Sequence, residues 1–68
     1  MKNIEHYLNK KVRIISFSHK EYIGKVIGIV PAIDNEPEID EIDILNESDN
    51  INYGLFENEI KSIDIISN

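Results

Sequence analysis

Sixty-eight residues with thirteen acids, seven bases and no cysteine make one small acidic domain over residues 1–68, whose marginal core has neither a disulfide nor a thiolate–zinc framework to support it. The formal charge of −6 repels polyanions over a screening length of roughly 8–10 Å, and no apolar run approaches the ~20 residues of a membrane span. His6 and His19 lack ligand spacing, so self-association is the expected remaining support for the fold.

The opening segment predicts a short helix, with Asn3 as its cap and Ile4, Tyr7 and Leu8 on one face. No apolar run of the export type begins the chain, which with the absence of cysteine points to the cytoplasm. From Lys11 the period becomes two. Residues 11–17 predict a strand rich in β-branched side chains, with Val12 and Ile14 on one face and Ile15 and Phe17 on the other. Ser18, His19 and Lys20 form a turn, and residues 21–30 a second, longer strand. Its glycines, Gly24 and Gly28, fall on one side of the pleat and mark bends or a close backbone approach. Pro31 and Pro37 bracket the one substantial loop. Residues 39–45 predict a third strand, whose acid–isoleucine alternation from Glu41 to Ile44 gives it one wet face. A polar turn leads to a fourth strand over 51–56, interrupted by Gly54, and a tight turn at 57–59 leads to a fifth over 60–66. In that last strand Ile60 and Ile66 fall on one face, Ile63 and Ile65 on the other.

The fold class is therefore mainly β: a short N-terminal helix followed by a five-stranded antiparallel meander, bent at its glycines and expected to close into a small barrel. Charge divides along the chain. Residues 1–25 hold six bases and two acids, whereas residues 26–68 hold one base, Lys61, and eleven acids. Those halves pair within one fold, or a basic face of one subunit meets an acidic face of the next.

Enzymatic chemistry finds no support. Glu41 and Asp43 share a strand face about 7 Å apart, but a carboxylate pair needs an enclosing cleft that so small a barrel does not leave. Asp34, Asn35, Glu36, Glu38 and Asp40 carry oxygen ligands without calcium-loop spacing. Ser16 and Ser18 flank His19 without a geometry that aims them at one another. No glycine-rich phosphate loop exists. Catalytic residues, metal and cofactor are all expected to be absent.

Two segments resemble the Sm-like small barrels. Tyr22-Ile23-Gly24-Lys25-Val26 is similar to the aromatic-x-Gly-x-apolar run of the first Sm motif, and Tyr53-Gly54-Leu55 leading into Glu59-Ile60-Lys61-Ser62-Ile63 is similar to the second. Lys10-Lys11-Val12-Arg13-Ile14, the Asp34-Asn35-Glu36-Pro37 loop and the Asn58–Ile63 ending resemble short Sm-like proteins of Gram-positive bacteria and their phages, over residues 5–66. The resemblance implies an Sm/SH3-like barrel, a homo-oligomer built through strands four and five, and single-stranded RNA or a nucleotide bound at Asp34, Asn35, Tyr53 and Gly54. In that pattern Tyr53 occupies the position of an arginine, and Asp34 and Asn35 are adjacent rather than spaced. Tyrosine still offers a stacking platform for a base, while phosphate contacts need Lys or Arg, which this region lacks. The alternative is an acidic protein-interaction module, an inhibitor or nucleic-acid mimic that docks on a basic partner through Glu36, Glu38, Asp40, Glu41 and Asp43.

Overall fold

A computed structural model describes residues 3–67; Met1, Lys2 and Asn68 lie outside them. Five strands, β1 (Lys11–Ser16), β2 (Glu21–Val30), β3 (Glu41–Asn46), β4 (Ile51–Phe56) and β5 (Ile60–Ser67), form one antiparallel sheet in the order β4-β3-β2-β1-β5. The β2 and β4 boundaries agree with those read from alternation and turn residues. The helical elements among the described residues are single 3-10 turns at Ile4–Tyr7, Ala32–Asp34 and Glu57–Glu59. The expected N-terminal helix is thus one 3-10 turn. Asn3 stands at φ 53° and makes no side-chain cap, because four residues hold too few backbone bonds to nucleate an α-helix. The turn is instead fastened to β2: the Asn9 amide donates to the Val26 carbonyl at 2.9 Å, and the Val26 amide to the Lys10 carbonyl at 3.0 Å.

Alternation decides what is buried. Val12, Ile14, Val26, Ile42 and Ile44 are fully enclosed, joined by Ile4, Tyr22 and Leu55, with Tyr7, Ile29, Tyr53, Ile60 and Ile63 packed around them. These side chains come from one face of every strand. Residues of the opposite phase stay at the surface, Phe17 at 62% exposure among them.

Closure into a barrel is not made. β4 and β5 are the two ends of the sheet order, and the expected meander holds only from β1 to β4. The connection after β4 explains this. The Glu59 carboxylate accepts the Phe56 amide at 2.9 Å, which winds residues 57–59 into a 3-10 turn instead of a hairpin. The Phe17 amide then donates to the Glu59 carbonyl at 3.0 Å, which delivers the chain to β1. β5 pairs there, with Ile14 opposite Ile63 and Val12 opposite Ile65.

The ladders carry three register shifts, which leave Ile27, Lys61 and Ile66 as extra residues, and the first two change which side chains face inward. In β2, Val26 pairs with Ile44 and Gly28 with Asp43, leaving Ile27 as the extra residue. A bulge reverses the phase of everything beyond it. Gly24 therefore faces the core while Gly28 faces outward beside Asp43, against the expectation that they share a side. In β5, Ser16 pairs with Ile60 and Ile15 with Ser62, so Lys61 is the extra residue. This brings Ile60 to the same side as Ile63, against the core, and the expected partition of β5 isoleucines is corrected accordingly.

Gly24 marks the tightest crossing. A Cβ at this position would lie 1.8 Å from the Leu45 carbonyl oxygen. Beside it the buried Asn46 side chain takes over from the ladder: its Oδ1 accepts the Ile23 amide at 3.1 Å, and its Nδ2 donates to Ser48 Oγ at 3.0 Å and to Asp49 Oδ1 at 3.1 Å.

Candidate functional site

The residue types singled out in the sequence separate into four groups in space. The first is the loop between β2 and β3, where Asp34, Glu36 and Glu38 are exposed. The loop is fastened at its base. Asp40, buried rather than presented to a partner, accepts the Ala32 amide on Oδ1 at 2.7 Å, so it leaves the expected acidic surface. Asn35 Nδ2 donates to the Ile39 carbonyl at 2.9 Å and reaches Glu41 Oε1 at 3.5 Å.

The second group is a carboxyl pair on the outer face of β3. Glu41 and Asp43 alternate with the buried Ile42 and Ile44, and the strands on either side present glycines to them. A Cβ at Gly28 would lie 3.1 Å from Asp43 Oδ2. One at Gly54 would lie 2.7 Å from Glu41 Oε2 and 3.1 Å from Asp43 Oδ1. Both carboxyls therefore lie over bare backbone, and no ion pair reaches them among the described residues. Burial, then the hydrogen bond and the charge of Glu41, raise the Asp43 carboxyl from its ordinary 3.8 to about 6. Placement on one face was legible from spacing. The place of Gly28 beside Asp43 was not, because it depends on the bulge at Ile27.

Since the folded state binds the Asp43 proton more tightly than the unfolded chain, this group's contribution to stability is full below about pH 4. It declines as pH rises toward 6. After discounting for solvent screening the loss is about 1–2 kcal/mol. Asp43→Asn is expected to exceed the parent in urea midpoint at pH 7.5 and to match it at pH 4. An unchanged difference between the two proteins across that range would show that Asp43 titrates normally.

The third group is Tyr53, which faces away from Asp43 and toward the core. Its ring lies 5.0 Å from that of Tyr22, centroid to centroid, and its hydroxyl donates to Asp49 Oδ2 at 2.5 Å. That bond lowers the Asp49 carboxyl below its ordinary range and raises the Tyr53 phenol. The two rings meet tilted, with 59° between their planes. Of the four expected RNA residues, Asn35 and Gly54 meet at the Glu41–Asp43 pair, whereas Asp34 stays in the loop and Tyr53 on the opposite side.

The fourth is the turn after β1. Ser16 is buried, and its Oγ accepts the Lys20 amide at 3.1 Å and shares a hydrogen bond with Ser18 at 2.7 Å. His19 is exposed at φ 69°, so these hydroxyls stabilise a turn. Nearby charge is partly neutralised, by Lys11 with Glu47 at 2.9 Å and Arg13 with Glu21 at 2.5 Å. Only the first of these links the basic and acidic parts of the chain.

Two shallow clefts of about 270 and 290 Å³ exist, lined around Ile23 and Asn46 and around Phe17 and Leu55 respectively. Neither is lined by Asp34, Asn35, Tyr53 or Gly54. No group of three or more His, Asp or Glu side chains able to hold a metal ion is assembled among the described residues, and no helix among them is long and apolar enough to cross a membrane. Comparison with protein-family models, curated proteins and solved structures gives no match to the chain.

Proposed function

We propose that the protein is a non-catalytic interaction module that docks on a basic protein partner through its acidic surface. The contact between Glu41 and Asp43 carries this reading. Two carboxyls held together without a cation repel, and a lysine or arginine from a partner relieves that repulsion while supplying complementary charge. Asp34, Glu36 and Glu38 extend the same sign of charge along the neighbouring loop, which steers a basic partner toward the pair.

A second reading, an Sm-like oligomer that takes single-stranded RNA or a nucleotide, is supported by a sheet order that leaves β4 and β5 as its two edges. Those are the strands through which Sm-like subunits join. Against it stand the engagement of Tyr53 with Tyr22 and Asp49 and the negative field around Asn35 and Gly54.

Calorimetric titration with a lysine-rich polypeptide and with a short single-stranded RNA separates the two. The expected result is salt-sensitive binding of the polypeptide, weakened about tenfold by Glu41→Gln together with Asp43→Asn, and no heat with RNA. RNA binding that is lost in Tyr53→Ala would replace this reading with the second one.

A further inference from the structure

β4 is a sheet edge of unusual composition. Edge strands are commonly blunted by lysine, proline or inward charge. Its sequence, Ile51-Asn52-Tyr53-Gly54-Leu55-Phe56, contains none of these. The other edge, β5, carries Lys61 at a bulge and Asp64. β4 is therefore the edge that remains open to a further strand among the described residues, apart from the Phe56 amide at its end, which donates to Glu59.

The side chains beside that edge are equally particular. Asp43 pairs with Gly54 and Glu41 with Phe56, so both carboxyls belong to the outer face of β3. Gly54 has no side chain to separate them from the edge, and their oxygens occupy the space where its Cβ would stand. In a strand added beside β4, the residue opposite Gly54 places its side chain on this same face. A long cationic side chain there crosses one bare backbone and ends at the carboxyl pair.

We infer that the free edge of β4 receives an extended segment of a basic protein by strand addition, with a lysine or arginine opposite Gly54 lying over the glycine to meet Glu41 and Asp43. Main-chain hydrogen bonds to β4 supply sequence-independent affinity, and the position opposite Gly54 supplies the selection. Positions two residues to either side face Asn52 and Phe56, so the preferred segment has a polar residue on one flank of the cation and an apolar one on the other. The inference rests on the proposed binding of a basic partner and specifies how that partner is held.

The test uses the full chain and a short extended peptide of alternating threonine and valine with one central lysine. Two control peptides replace that lysine by norleucine or methylate alternate backbone amides. Amide hydrogen exchange of the protein is followed with and without each peptide. Slowed exchange within Ile51–Leu55, with affinity reduced about tenfold by Glu41→Gln or by norleucine and lost on backbone methylation, is the expected result. Gly54→Ala, whose Cβ meets only the movable end of the Glu41 side chain and that of Asp43, is expected to fold and to bind more weakly. Equal binding of the methylated peptide without β4 protection would overturn strand addition while leaving a basic partner on the acidic surface. Binding by none of the peptides would overturn both. Protection of β4 in the free protein, accompanied by a sedimentation mass above that of a monomer, would show that a second copy already covers the edge and would overturn the inference.

Discussion

Alanine in place of Gly24 is expected to leave the chain unfolded at room temperature. The new Cβ would meet the Leu45 carbonyl oxygen at 1.8 Å and its carbon at 2.8 Å. Neither atom belongs to a side chain that can rotate aside. Gly24 is paired with Val12 on one side and with Asn46 on the other, so relief requires pulling β2 away from a neighbour. Overpacking ordinarily costs about 1–3 kcal/mol, and more where backbone must move. A domain of this size holds only about 3–5 kcal/mol in total. Gly28→Ala is the matched control, since its Cβ meets the Asp43 carboxylate at 3.1 Å, and that side chain can shift by tenths of an ångström. Circular dichroism and urea titration of both variants check the contrast. A cooperative transition in Gly24→Ala at the parental midpoint would show that the strands do not cross this closely.

Ile42→Ala is the second large loss. Ile42 is fully enclosed on the central part of the sheet, pairing with Ile29 and Leu55. Removing three of its carbons costs about 2–5 kcal/mol, which spans the transfer free energy and the cavity left behind. That consumes most or all of the stability available. Ile33, by contrast, is 83% exposed on the loop, so Ile33→Ala is expected within about 0.5 kcal/mol of the parent. Chemical denaturation distinguishes them directly, and equal midpoints for the two variants would contradict the assignment of the core.

What could be read from the sequence was what period two governs. Val12 and Ile14, then Ile42 and Ile44, fall on one face because β-branched residues alternate there with polar ones. Pro31 and the polar run after Leu45 limited the strands on either side of the loop. The failures share a physical origin, since alternation carries no mark of an inserted residue. Ile27 and Lys61 each shift the phase by one, and so alternation alone assigns Gly28 and Ile60 to the wrong face. The strand order was missed for a different reason. β5 crosses to β1 through a 3-10 turn in which the Phe56 amide meets the Glu59 carboxylate, a local bond that hydropathy does not register. At the candidate site, spacing placed Glu41 and Asp43 together. It could not bring Asn35 and Gly54 to them, nor turn Asp40 inward and Tyr53 against Tyr22.

The pairing of β1 with β5 has a consequence for the order of events during synthesis. Ile14 faces Ile63, a partner made about fifty residues later, and closing so long a loop is entropically slow compared with forming adjacent hairpins. While β5 is still inside the ribosome, β1 can join β2, and β3 and β4 can follow, yet Val12 and Ile14 lack the strand that flanks them. The nascent chain therefore waits with one long apolar edge uncovered, at the stage when unpaired edges seek other chains.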